Sequence, residues 1–219
     1  MQQEKILLRQ LSLQEYIPVS QAMYKFTDRR TDNTLDEIWL VQHYPIFTQG
    51  YSGKQENILV KGNIPIIRSD RGGQITYHGP GQQIMYVLID LKRHKFSARQ
   101  LICYIEQTVI NTLSKFFIKG YTRSYAPGVY VDGQKICSLG LRIHKGCVFH
   151  GMALNISMDL SPFSYINPCG YSGIKMTQIS AINPDIKPEK VRSVLVVQLM
   201  KILKYKELEL CNWNPQDYE

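Results

Sequence analysis

Residues 71–82 (RGGQITYHGPGQ) set four glycines, a proline and a histidine between two apolar, strand-like segments at 64–68 and 83–90. Glycine accepts positive φ and lets a ligand approach the main chain, and binding residues gather on loops held by a rigid scaffold. A run this rich in glycine that also carries Arg71, Thr76, Tyr77 and His78 suits wrapping a ligand; a plain bent connection between strands is the other reading. Cys169 lies in INPCGYSG between Pro168 and Gly170. Cys103 on an apolar helical segment, and Cys137 and Cys147 in strand segments, read as small buried hydrophobes. Cys211 has no interpretable context, whereas a cysteine in a polar turn fits a nucleophile. Lys135 heads an otherwise apolar strand just after Asp132-Gly133. It is either a solvated strand end or, turned inward, a cation that would lower the pKa of a nearby thiol. His78 would orient a carbonyl or simply satisfy backbone groups in a tight loop.

The elements that must position these residues are legible in outline. Residues 6–8 read as a short strand, and Pro18 sits in the first turn of a helix with Val19, Met23 and Phe26 at helical spacing. Residues 36–44 read as a strand ending before Pro45. Ser97 and Gln100 form a capping box opening a helix that places Ile102, Ile105, Val109 and Leu113 on one face, with Gly120 as its stop. Asp132-Gly133 is a hairpin signal between strands at 128–132 and 135–143, and His144-Lys145-Gly146 turns into a strand at 147–157. A loop rich in Pro, Ser and Gly spans 159–180. Pro188 opens a last helix whose Val191, Val194, Leu195, Leu199 and Ile202 face a core. Strands outnumber helices, and hairpins mix with strands separated by helices. The order predicts an α/β protein of the α+β type, a mixed β-sheet packed with helices in a single domain over residues 1–219.

Bulk properties bound the function. The 219 residues suffice for one core, and 44% hydrophobic with 20% charged residues is ordinary for a globular protein. No apolar run approaches the ~18 residues of a membrane span, and the N-terminus lacks a signal-peptide pattern. Five irregularly spaced cysteines without a Cys-x-x-Cys pair argue against a disulfide framework or zinc site and for reduced thiols in the cytoplasm. A formal charge of +8 favours an acidic partner, but no helix-turn-helix, finger or aromatic RNA-binding signature is present.

Taken together, the motifs closely resemble the lipoyl(octanoyl) transferase family. RGGQITYHGPGQ resembles its glycine-rich substrate motif, DGQKICSLGLRI the segment supplying a catalytic lysine, FHGMALNIS the strand that follows, and INPCGYSG the segment of its nucleophilic cysteine. IWLVQHYPIFTQGYSGKQENIL is similar to its N-terminal region, so the likeness runs collinearly from about residue 11 to 180. The resemblance implies the catalytic fold of biotin and lipoate protein ligases. It implies transfer of a medium-chain acyl group, typically octanoyl, from acyl carrier protein to a lysine of a lipoyl domain. The acceptors would be the lipoyl domains of 2-oxoacid dehydrogenases and the H protein of the glycine cleavage system. Cys169 would be the acyl-thioester nucleophile and Lys135 its activating partner. Arg71, Gly72, Gly73, Gln74, Ile75, Thr76, Tyr77 and His78, with Ser138, Leu139, Gly140, Gly151, Met152 and Ala153, would line the acyl and carrier-arm site. Backbone N–H groups around Ser138–Gly140, helped by His78, would hold the oxyanion. The acyl group arrives activated, so no ATP, cofactor or metal is implied, and the protein is expected to be a monomer without nucleic-acid or membrane partners. Two positions depart from the family pattern: Cys137, where a small residue is expected and which would complicate thiol labelling, and Gln42, where an acid is expected. The competing readings are an ATP-dependent lipoate or biotin ligase on the same scaffold, a cysteine transferase between lipoyl proteins, and a basic nucleic-acid-binding module.

Overall fold

Strands buried along almost their whole length mark the middle of the molecule, because a sheet covered on both faces needs apolar residues at every position. A computed structural model describes residues 4–218. The chain opens with β1 (Lys5–Gln14), α1 (Tyr16–Arg29), β2 (Asp36–His43) and β3 (Ile46–Gln49). Around the glycine-rich run lie β4 (Ile66–Arg68), β5 (Ile75–His78) and β6 (Gln82–Asp90). Then come α2 (Leu91–His94), α3 (Ala98–Ser114), β7 (Tyr121–Thr122), β8 (Val129–Val131), β9 (Gln134–His144) and β10 (Cys147–Asn155). The chain ends with α4 (Ile179–Ile182), α5 (Pro188–Leu203) and β11 (Glu207–Cys211).

Eight strands form one mixed sheet in the order β11-β1-β2-β6-β10-β9-β8-β7, and β4-β3-β5 form a second, small one. The first three strands of the large sheet run parallel to one another and the rest pair antiparallel. Alternate residues of β2 and β6 serve opposite faces. Ile38, Leu40, Met85 and Val87 join the core under α3 and α5, whereas Trp39, Val41, Ile84 and Tyr86 join the core under α1. Each fully enclosed aliphatic side chain, such as Ile105, Val109 or Leu195, contributes about 1.5–3 kcal/mol. No helix among the described residues is long and apolar enough to cross a membrane.

The mixed sheet with packed helices matches the expectation, and the Ser97/Gln100 capping box forms as read. Several details differ. The first strand is ten residues long because it pairs on both sides, with β2 and β11. Helix α3 ends at Ser114, not near Gly120, and the chain reverses through Phe117 in the left-handed region (φ 59°). On α5 the innermost residues are Val191, Leu195, Val196, Leu199 and Leu203, with Val194 and Ile202 at the margin. The glycine-rich run contains a strand of its own, β5, which turns Ile75 and Tyr77 to one side and Thr76 and His78 to the other. Cys103, read as a buried hydrophobe, is exposed.

Candidate active site

Lys135 is brought inward by a turn, a bulge and a clamp. Asp132 and Gly133 both take positive φ (47° and 80°), the geometry that joins twisted strands in a tight hairpin. Pairing between β8 and β9 then shifts register, from Tyr130 opposite Lys135 to Val129 opposite Cys137, and such a bulge re-aims side chains. The Lys135 backbone bonds on its other side to the chain beyond Cys169: its N–H donates to Lys175 O (2.8 Å) and its carbonyl accepts from Thr177 N (2.9 Å). The lysine is fully buried, not the solvated strand end its place in the sequence allows.

Cys169 stands in a tight turn between Pro168 and Gly170, with φ 58° and ψ 17°. A left-handed cysteine costs on the order of 1–3 kcal/mol, and such strain concentrates at functional sites. Lys135 Nζ lies 3.1 Å from Cys169 Sγ and donates to Pro127 O at 2.8 Å, with the Tyr130 ring centroid 5.6 Å away. Ser138 Oγ is 3.9 Å from the same sulfur. Burial works against the Lys135 ammonium, but the facing Cys169 sulfur and Tyr130 outweigh it, and its pKa stands above the ordinary lysine value.

Cys169 opens onto a cavity of about 590 Å³. Arg71, Gly72, Gly73, Gln74, Thr76, His78, Ser138, Leu139, Gly140, Gly151, Met152 and Ala153 line it. Ile75 and Tyr77 do not line this cavity: they pack with Phe47, Met158, Phe163 and Ile166 beneath the loop that leads to Cys169. Lys135 lies behind the wall and reaches the site only through its Nζ.

Hydrogen bonds hold the glycine-rich run in place. The enclosed Arg71 guanidinium donates to Thr48 Oγ1 and O, Gly72 O and Gln74 O. Gly72 N donates to Leu141 O at 2.9 Å, tying the run to β9. A Cβ on Gly140 would stand 3.0 Å from Gly72 O and 3.2 Å from Arg71 Cδ, so any side chain here would make these neighbours give by a few tenths of an ångström. Gln42 accepts from Gly81 N at 2.7 Å, a backbone anchor that needs no acid. Both ring nitrogens of His78 are engaged, Nδ1 with Gln82 Oε1 (2.7 Å) and Nε2 with Thr48 Oγ1 (3.1 Å). Burial, with His43 and Arg71 nearby, pushes the His78 pKa down to about 3, which leaves a neutral, structural imidazole rather than a free oxyanion donor.

Among the cavity residues that escaped the sequence reading are Tyr16, Tyr86 and His150. Tyr16 stacks on His78 with centroids 6.1 Å apart, Tyr86 Oη meets His43 Nε2 at 2.8 Å, and His150 Nε2 meets Asp70 Oδ1 at 2.7 Å. For Tyr86 and His150 the available signal was a polar side chain within the otherwise apolar strands β6 and β10; Tyr16, at the start of α1, carried none.

Cys137, unlike Cys169, does not line the cavity. It is fully enclosed, and burial raises its pKa far above the ordinary thiol value. In peptide mapping after alkylation at neutral pH, Cys169 and the exposed Cys103 are expected to carry label while Cys137 stays unmodified. Labelling of Cys137 as fast as Cys103 would contradict its enclosure. Its enclosure speaks against the expectation that it would complicate thiol labelling.

Residues 10–200 match the family model of the lipoyl protein ligase A/B catalytic domain. The chain belongs to this family. An octanoyltransferase of Serratia proteamaculans (strain 568) is 62% identical over 219 residues, covering 100% of this chain and 99% of the relative. An octanoyltransferase of Yersinia pseudotuberculosis serotype O:1b (strain IP 31758) is 60% identical over 218 residues, covering 100% and 94%. Among solved structures, lipoate-protein ligase A bound with ATP superposes at TM-score 0.80 with 14% identity, covering 100% of this chain and 92% of that one. Biotin protein ligase from Aquifex aeolicus superposes at 0.54 with 12% identity, covering 92% and 70%. These two likenesses show the lipoyl protein ligase fold.

Proposed function

We propose that this lipoyl protein ligase A/B family member is an acyltransferase that moves an octanoyl group from acyl carrier protein, through a thioester on Cys169, to a lysine of a lipoyl domain. The observation that carries this reading is the 3.1 Å separation of Lys135 Nζ and Cys169 Sγ beside a cavity of about 590 Å³. Relatives at 60–62% identity named octanoyltransferase supply the acyl group and the protein-modifying chemistry. The family to which the chain belongs supplies the lipoyl acceptor.

The chemistry follows from the pair. Ionised Cys169 attacks the donor thioester carbonyl, and Lys135 hands its proton to the departing carrier thiolate. One thioester replaces another at little cost. Acylation removes the sulfur's negative charge, the main influence that holds the proton on Lys135 against burial. The neutral amine that remains takes a proton from the incoming lysine as it attacks the Cys169 thioester. Sγ departs as thiolate opposite a restored ammonium, and the stable amide drives the second half. Each tetrahedral oxyanion needs preorganised donors, a role we assign to backbone N–H groups around Ser138–Gly140. The net charge of +8 favours an acidic carrier protein, and five free thiols accord with the reducing cytoplasm.

The test is intact-mass measurement after mixing with octanoyl acyl carrier protein, followed by addition of a lipoyl domain. One octanoyl adduct should appear on Cys169 and then leave for the acceptor lysine. Transfer without any enzyme adduct would overturn the covalent route.

A further inference from the structure

Glu106 is a buried acid that the chemistry above does not use. It lies on α3 between the fully enclosed Ile105 and Val109 and is only 9% exposed. Its Oε1 accepts the N–H of Gly128 at 2.8 Å. The carbonyl of the same peptide unit, Pro127 O, accepts from Lys135 Nζ at 2.8 Å, and that nitrogen also lies 3.1 Å from Cys169 Sγ. One peptide group therefore holds a carboxylate at its N–H end and an ammonium at its C=O end. Hydrogen bonds in such a chain polarise one another. Gly128, at φ 136°, leaves the peptide bare toward the lysine: a Cβ there would meet Lys135 Cε and Cys137 O, each at 2.5 Å.

The geometry points to Glu106 as the positioning residue of the Lys135–Cys169 pair: by fixing the Pro127–Gly128 peptide it fixes where the ammonium stands. The inference rests on the reading of that pair given above. Without the carboxylate, the Gly128 N–H loses its partner, the peptide is free to turn, and Pro127 O no longer anchors Nζ. The groups facing Lys135 are Cys169, Tyr130, Cys137 and, across the peptide, Glu106; Arg71 is the further cation that senses Cys169. Burial raises the Glu106 pKa above the ordinary carboxylate value, and the Gly128 N–H and then Lys135 draw it back only in part.

The experiment compares the pH dependence of Cys169 alkylation, read by peptide mass, in Glu106→Ala, Glu106→Gln and Lys135→Ala enzymes. Thermal melting checks that each variant is folded. Glu106→Ala should move the alkylation midpoint upward toward that of Lys135→Ala and slow octanoyl transfer by up to about 100-fold, the scale of a misplaced catalytic group. Glu106→Gln keeps an oxygen for the Gly128 N–H and should recover most of that shift. Placed on Lys135→Ala, Glu106→Ala should add nothing. A folded Glu106→Ala enzyme with the wild-type midpoint overturns the assignment. So does a glutamine variant as impaired as the alanine one, or an alanine effect that persists at full size without Lys135. Alkylation does not depend on turnover. Absence of an octanoyl adduct on wild-type Cys169 would instead remove the covalent route and leave these alkylation results standing.

Discussion

Cys169→Ser and Cys169→Ala enzymes should form no octanoyl adduct and lose transfer by at least about four orders of magnitude, the scale seen when a covalent nucleophile is removed. A serine hydroxyl is far too weak an acid for an ammonium 3.1 Å away to ionise it. No other cysteine can substitute, since Cys169 alone among the five lines the cavity. Intact-mass measurement reads the adduct directly, and an adduct on any other residue would remove Cys169 as the nucleophile. The alanine variant also separates this chemistry from that of ATP-dependent ligases, which share the fold. Acceptor modification by Cys169→Ala with ATP and free octanoic acid would show that the sulfur is not required.

Lys135→Ala should shift the alkylation profile of Cys169 to higher pH and reduce transfer by roughly 10²–10⁴-fold. The sign follows from charge: removing the cation leaves the thiolate without its partner, so ionisation waits for a higher pH. Unit charges 3.1 Å apart attract by about 5 kcal/mol at an effective dielectric near 20, from which burial subtracts. A displacement toward higher pH is therefore expected, as for other close opposite charges. Lys135→Arg distinguishes the two tasks given to this residue. A guanidinium keeps the charge and cannot release a proton, so alkylation should recover partly while transfer stays low. An alkylation profile unchanged in Lys135→Ala would sink the activating role.

Much of this was legible along the chain. Asp132-Gly133, the capping box at Ser97 and Pro188 announce local geometry that a few residues determine by themselves, and each forms where it was read. Pairing partners were less accessible. Residues 75–78 lie among glycines and become a strand only because 46–49 run beside them, and residues 207–211 are a strand because β1 offers an open edge. The same limit hid Tyr16, Tyr86 and His150, which meet in one cavity from three separate elements.

What the sequence determined by itself is the chemistry available: a thiol in a Pro–Gly turn, a lysine after a hairpin and a glycine-rich run that can approach a ligand. Residue type and local backbone preference are properties of neighbours in the chain, so they survive without a fold. Only the tertiary structure decided that Lys135 turns inward, that its ammonium meets a sulfur 34 positions away, and that Glu106 of α3 grips the peptide that anchors this ammonium. Burial and Coulomb attraction act through space, and the distances that give them their strength exist only once the sheet, the bulge and the loop have been assembled.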